Sequence, residues 1–470
     1  AALLAYRRLG RSEVVAFLDD RDNRLVLEAA RAIHDQPIAD GLPALAALMG
    51  RKDLPRPIWR RVVAANARLG GSDGSKALAA IAARKDVPDS IRVEAVDALR
   101  TWAKPSGRDP VLGLWRPIES RPALDAAVAL KPVLDGLLKD SSPTVQKAAT
   151  RAAGALADKA DADALRKVLA DANSPTDVRV EVLRALEQLG DAQLVELARS
   201  AVDSPEAGLR AEAVRVLAKA RPKEAVPALE HALEATAISE RQAALATLGD
   251  LDDPAADVVL SRWLDRLAAG EVATEVQLDL LEAAARRNSA EVKDRLGRIE
   301  AGRSKDAPVA AYRESLAGGD PDRGRRIFFE KAEVQCLRCH KVGGQGGEVG
   351  PDLSGVGGKQ PREYILESIV APDRKIAEGF ETLVVATADG QVLAGILKSE
   401  AGDALKLMTP EGKLVTIAKD DVDERKRGAS AMPADLIKSL SRSEVRDLVA
   451  YLANQKPGSG DTPESRPEGR

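Results

Sequence analysis

Along the first 300 residues one pattern of apolar and polar positions returns repeatedly. It is centred on a small or aliphatic residue at Ala29, Ala64, Ala95, Ala148, Val182, Ala213, Ala243 and Leu280, so that successive copies lie 35, 31, 53, 34, 31, 30 and 37 residues apart. Within a copy the apolar positions keep a helical period: Val178, Val182, Ala185, Leu186 and Leu189 share one stripe, as do Ile91, Ala95, Ala98, Leu99 and Trp102. Each such helix must bury one face. Start signals recur as well. Ser142-Pro143, Ser174-Pro175 and Ser204-Pro205 each set a hydroxyl side chain suited to an N-cap before a proline, which fits the first helical position because no N–H is needed there. Two helices per unit, stacked unit on unit, predict an α-solenoid over 1–300.

The 53-residue step contains an insertion at about 103–122, with Pro105, Gly107, Pro110, Trp115, Pro117 and Pro122. It reads as a packed surface loop over one face of the array, pinned by Trp115, with partner binding as the functional alternative. A solenoid offers extended surfaces and no catalytic cleft, so scaffolding or docking is its default role. His34 and His231 stand alone in this region and read as ordinary surface or packing residues.

Beyond residue 300 the pattern changes. Residues 301–319 read as a linker with one short helix around Tyr312, and a new domain starts near Asp320. Segments 380–388, 391–398, 404–409 and 413–418 are rich in Val, Leu, Ile and Thr, with Asp389-Gly390 and Glu411-Gly412 between the pairs, which predicts two β-hairpins in an insertion over 380–418. The charge run Lys419 to Arg427 reads as a solvated face, or as a docking strip for a redox partner. Residues 457–470, dense in Pro, Gly, Ser and charge, predict a disordered tail.

The two cysteines of the chain lie in Cys336-Leu337-Arg338-Cys339-His340. CxxCH places two thiols on one helical turn, where they can add to the haem vinyls, with the adjacent imidazole held against the iron. A zinc site would need further Cys or His nearby, and a thioredoxin-like dithiol would need a βαβ setting. The predicted cofactor is one covalently attached haem c.

Composition narrows the remaining choices. Aromatics are 3% of the chain, which suits many small helices in alanine contact. A net charge of −3 gives no pull toward nucleic acid, so none is expected as a partner. No apolar run reaches the ~20 residues that span a bilayer, so no transmembrane segment is expected. The chain opens Ala-Ala-Leu-Leu without a Met or a basic signal-type start, and is expected to be a processed or excised piece.

A resemblance adds to these readings. Gly324 and Phe328 before CxxCH, Gly350-Pro351-Asp352-Leu353 after a glycine-rich loop, Ser430-Ala431-Met432-Pro433, and a last helix with Leu448, Tyr451 and Leu452 together resemble a class I cytochrome c over about 320–456. With its hairpin insert the domain is similar to the haem-binding domain widespread in planctomycetes and verrucomicrobia, where HEAT-like repeats often precede it. The helix pairs of 1–300 resemble short HEAT-like repeats. The expected fold is therefore mostly α: a HEAT-like solenoid followed by a helical cytochrome c domain with a small β-hairpin insertion.

The resemblance implies thioethers from Cys336 and Cys339, His340 as proximal ligand, Met432 as distal ligand, and the Pro351 carbonyl as acceptor for the proximal imidazole N–H. It also implies that Gly324 permits close crossing of the first and last helices. Met408 lies between His340 and the last helix too, but mid-strand, where a packed side chain is expected; Met432 precedes a proline in an irregular loop and is preferred.

The expected function is electron transfer between ferrous and ferric states outside the cytoplasm, most simply in the periplasm. The partner is a redox protein, either a donor dehydrogenase or an acceptor cytochrome or oxidase, and the chain is not itself an enzyme. The resemblance further implies the electron-accepting part of a larger oxidoreductase. Two alternatives remain open: a catalytic or sensory haem with an open distal site, and a scaffold whose haem is secondary.

Overall fold

The computed structural model describes residues 2–158, 161–302 and 308–456. The predicted tail 457–470 and residues 303–307 of the predicted linker lie outside the described residues. The chain divides into two compact units, Ala1–Ala232 and Leu233–Arg470.

The first unit is a solenoid of helix pairs, among them Arg56–Leu69 with Gly71–Ala83, Pro143–Leu156 with Ala162–Ala170, and Thr176–Leu189 with Leu194–Ala201. The recurring small positions drive the packing: Ala29, Ala64, Ala95, Ala148, Val182 and Ala213 are all buried. Small side chains let neighbouring helices approach closely; at Gly154 an added Cβ would sit 2.9 Å from the Ala185 Cα of the next repeat.

The helix starts differ from the simple Ser-Pro expectation. Ser142 does occupy an N-cap, but its hydroxyl bonds Thr144 rather than a backbone N–H. In the next repeat the N-cap is Pro175, whose carbonyl accepts from the Val178 and Arg179 N–H groups. Pro55 and Pro88 cap in the same way. A proline sits in the extended region that an N-cap needs, so it serves without a side-chain acceptor.

Charged residues tie repeat to repeat at the same period. Arg151 meets Glu181, Arg184 bridges Glu181 and Glu212, Arg215 bridges Glu212 and Glu187, and Lys219 closes the row on Glu187. Single exposed pairs of this kind contribute little, but a continuous row joins the first helices of three successive repeats.

The insertion at 103–122 is pinned by charge, not by its tryptophan. Trp115 is 73% exposed. The centre of the loop is instead Asp109, fully buried, whose Oδ1 accepts the N–H groups of Val111 and Leu112 while Oδ2 takes Arg68 at 3.2 Å and Arg116 at 3.5 Å. Arg121 lies 3.3 Å over the Trp102 ring and donates to the carbonyls of Ala67 and Trp102. His34, read from sequence as an unremarkable residue, is buried against this hub, its Nε2 3.3 Å from Asp109.

The second unit contains the helices Ile238–Asp250, Ala255–Ala268, Thr274–Ala285 and Ala290–Ala301, followed by a helical domain with a sheet inserted in it. Helices Pro321–Glu330 and Arg442–Ala453 cross at backbone contact: a Cβ on Gly324 would lie 2.0 Å from the Asp447 carbonyl oxygen. Around the crossing Phe328, Leu448 and Tyr451 join Ile365, Leu366 and Leu440 in one core. The stretch Pro308–Leu316, within the expected linker, is a 3-10 helix whose Val309, Tyr312 and Leu316 pack against that core.

A short antiparallel pair, β1 (Lys341–Val342) and β2 (Gln345–Gly346), follows the CxxCH motif. The inserted sheet has five strands: β3 (Thr382–Thr387), β4 (Val392–Ala401), β5 (Ala404–Met408), β6 (Leu414–Ala418) and β7 (Val422–Arg427), in the order β6-β5-β4-β3-β7. The two expected hairpins are thus fused through β4 and β5. The charge run, read as a solvated face or docking strip, is a 3-10 turn over Lys419–Asp421 and then the edge strand β7, paired with β3. Its charges suit an edge, because they discourage pairing with another chain.

Candidate haem-attachment site

Cys336 and Cys339 begin and end a single helical turn. The chain enters it through Gln335 at φ 45, a left-handed conformation that non-glycine residues rarely adopt. Both cysteines are half-buried and free of one another. Burial pushes the Cys336 thiol up to about 11 and raises Cys339 as well. That is the reverse of the lowered thiol pKa of a dithiol redox motif. Among the described residues no three His, Cys, Asp or Glu side chains gather to hold a metal ion, so a zinc site is not built here.

The loop after the motif folds back onto it. The Gly347 N–H bonds the Leu337 carbonyl, the Gly350 N–H bonds the Cys339 carbonyl at 2.7 Å, and the Leu353 N–H bonds the Lys341 carbonyl at 2.8 Å. His340 lies flat against this loop: a Cβ on Gly350 would come within 2.6 Å of its Cε1 and 2.7 Å of its Nδ1. Its Nδ1 is 3.0 Å from the Pro351 carbonyl oxygen, an arrangement in which the ring N–H donates and Nε2 is left to face a ligand. Burial lowers the His340 pKa, so the ring is held neutral, the form that binds a metal.

Met432 is half-buried in the irregular stretch between β7 and the 3-10 helix Leu436–Ser439. Its N–H donates to Ser430 Oγ at 3.2 Å, and the Ser430 N–H donates to Asp373 Oδ1 at 2.7 Å. Met408 is in strand β5, opposite Ile396 of β4 and Leu414 of β6.

Residues 321–405 match the family model for cytochrome c. This is a cytochrome c domain. It follows HEAT repeats, whose family model matches residues 130–208 and 172–249. No curated protein matches the chain. Among solved structures it is similar to YibA of E. coli (14% identity, TM-score 0.37, covering 64% of this chain and 95% of that one). It is also similar to a complex of CpcE and CpcF of phycocyanin lyase from Nostoc sp. (18%, 0.29, 61% and 92%). A third is a mutant of Kap121p (14%, 0.43, 69% and 39%).

The donor set of the cytochrome c domain fits haem c: two thiols on one turn, a neutral imidazole fixed by a carbonyl, and a glycine where a side chain would collide with the ring. The sequence motif pointed to Cys336, Cys339 and His340, and the family resemblance pointed to the Pro351 carbonyl and Met432. Two features went unread: the Gly350 contact and the Asp373–Ser430–Met432 chain. A Gly immediately before the Pro351 carbonyl was the available signal for the first. The second joins residues 57 apart and left no local signal.

Proposed function

We propose that this chain is an extracytoplasmic electron-transfer protein carrying one haem c, attached through Cys336 and Cys339 and ligated by His340 and Met432. When bound, the group supplies a reversible one-electron iron couple. The residues around it supply position. Pro351 fixes the His340 ring and raises its basicity, Gly350 gives the ring room, and the loop 430–433 delivers Met432 from the other side of the sequence. Ligation by both a thioether and an imidazole would favour ferrous iron, which would put the couple at the oxidising end and suit acceptance of electrons from a donor dehydrogenase, for delivery to an acceptor cytochrome or oxidase.

The observation that carries this reading is the 3.0 Å contact between His340 Nδ1 and the Pro351 carbonyl, because it commits one ring nitrogen and leaves the other for iron. The sheet supports the same centre. Lys398 of β4 donates to the Glu348 carbonyl at 3.2 Å, and Gly412, in the turn between β5 and β6, lies over Val349. The insert therefore shields the loop behind His340. The solenoid serves as a docking scaffold, and the periplasm is the compartment in which such attachment takes place. Among the described residues no helix is long and apolar enough to cross a membrane.

The test is an absorption spectrum of the ferric and ferrous protein beside Met432→Ala. A far-red methionine-to-ferric-haem band, present in the parent and lost in the variant, is the expected result. A parent without the band, binding carbon monoxide rapidly and stoichiometrically when reduced, would replace this reading with a catalytic or sensory haem.

A further inference from the structure

We propose that Asp373 and Ser430 are positioning residues for Met432, forming a polar staple across the neck of the inserted sheet that holds the Met432 backbone in its ligating position. The inference rests on the His340/Met432 reading above and adds to it a device built from this chain's own residues.

The chain leaves the helical domain at the end of helix Arg362–Val370, passes Ala371, Pro372 and Asp373, and then builds all five strands before returning at Gly428. A sheet inserted between a helix and a ligand loop is a lever: any rocking of the insert would be passed to the residues that follow it. Two hydrogen bonds close the neck. The Gly428 N–H bonds the Thr382 carbonyl at 2.8 Å, and the Ser430 N–H bonds Asp373 Oδ1 at 2.7 Å. The next link is direct, because Ser430 Oγ accepts the Met432 N–H at 3.2 Å.

The other end of the loop is held by apolar packing, through Leu436, Ile437 and Leu440 against the domain core. Met432 thus lies between one apolar anchor and one polar anchor. Asp373 is exposed and has no ion-pair partner among the described residues. Neither packing nor charge pairing explains a carboxylate there, whereas its bond to the residue that holds Met432 does. The acceptor is needed at Asp373 and the hydroxyl at Ser430; the negative charge is not.

The experiment uses the full haem-loaded protein in its ferric state and follows the far-red band as pH is raised. The band reports the methionine–iron bond, and its loss marks exchange of Met432 for another ligand. Asp373→Ala and Ser430→Ala should each favour the exchanged form roughly five- to tenfold, the effect of one lost hydrogen bond, and so lower the midpoint by about 0.7 to 1 pH unit. Asp373→Asn, which keeps an oxygen acceptor, should stay within about 0.3 unit of the parent.

Far-UV helicity and the ferrous spectrum check that each variant is folded, and Ser430→Ala removes a single hydroxyl if the Asp373 variants fail that check. Midpoints of Asp373→Ala and Ser430→Ala equal to the parent, in a protein whose band disappears in Met432→Ala, would overturn the staple and leave the ligand reading standing. An equal fall in Asp373→Asn would also overturn it, since charge would then be the cause. A parent with no band would end both.

Discussion

His34 gives a pH dependence of stability that can be worked from the structure. The ring is 1% exposed, with Nε2 3.3 Å from Asp109 and Nδ1 3.5 Å from Asp35. Two carboxylates so near would ordinarily favour the imidazolium. Here each is already engaged, Asp35 by Arg61 at 2.7 Å and Asp109 by Arg68 at 3.2 Å and Arg116 at 3.5 Å. Burial prevails, and the His34 pKa falls from 6.5 to about 4. In the unfolded chain the ring titrates near its ordinary value, so between these values the unfolded state binds the extra proton. The stability His34 contributes is therefore complete above pH 6.5 and is lost as pH falls. The loss is about 2 kcal/mol by pH 5 and approaches roughly 3 kcal/mol below pH 4. Denaturant unfolding followed by tryptophan fluorescence at pH 7 and pH 5 measures it, with Trp59 and Trp102 buried in the same unit. His34→Gln cannot titrate and should lose about 2 kcal/mol less than the parent over this interval, which separates His34 from every other group. Identical pH slopes in parent and variant, or a parent more stable at pH 5, would refute the reasoning.

Two further predictions follow from close contacts in the second unit. Arg446, almost fully buried, pairs with Asp279 at 2.6 and 3.1 Å, so Arg446→Ala should cost roughly 3–5 kcal/mol by stranding a carboxylate. The double variant Arg446→Met with Asp279→Leu should recover much of that in thermal unfolding followed at the haem band; a loss below about 1 kcal/mol for the single variant would show that the pair is not what holds the contact. Gly350→Ala would drive a Cβ to 2.6 Å from the His340 ring, so the ring must leave the Pro351 carbonyl. The expected results are a cost of about 1–3 kcal/mol and a visible loss of covalently attached haem per protein, against an unchanged yield in Gly297→Ala, where nothing lies within 4 Å; equal yields would remove the case for Gly350 as the cradle of the ring.

What could be read from sequence was local. Ala29, Ala64, Ala95 and Ala148 announced the solenoid because a helical period is written within one element, and CxxCH announced its chemistry within five residues. What could not be read was carried by distant pairs. Trp115 was expected to pin the insertion, yet the insertion is organised around Asp109, which meets Arg68, 41 positions away, and His34, 75 positions away. Strand β7 gave no alternating signal, since Asp423 to Arg427 are all exposed and no apolar face repeats every second residue. The Ser-Pro pairs marked helix starts correctly to within two residues, but the hydroxyl does not cap the backbone in the way expected: Ser142 bonds Thr144, and in the next two repeats the N-cap is Pro175 and Glu206.

The final helix shows how these levels meet. An ordinary surface helix keeps its charged residues in water, but in Arg442–Ala453 every residue from Val445 to Leu452 is buried, Arg446 and Asp447 included. One side is taken by Gly324, whose missing side chain admits the Asp447 backbone. Helix Thr274–Ala285 of the repeats reaches the same helix through side chains, Asp279 to Arg446 and Glu282 to the Ser443 hydroxyl. Arg446 is buried with Asp279 as its paired counter-charge and Asp447 and Glu282 close by, and Asp279 is held in turn by Arg446 and by the Gln242 amide, which donates to it at 3.2 Å. The compact unit that holds CxxCH begins at Leu233, among the repeats. Within it Thr274–Ala285 packs against the 3-10 helix Pro308–Leu316, which packs against Arg442–Ala453; that helix crosses Pro321–Glu330, which meets the turn that starts at Cys336.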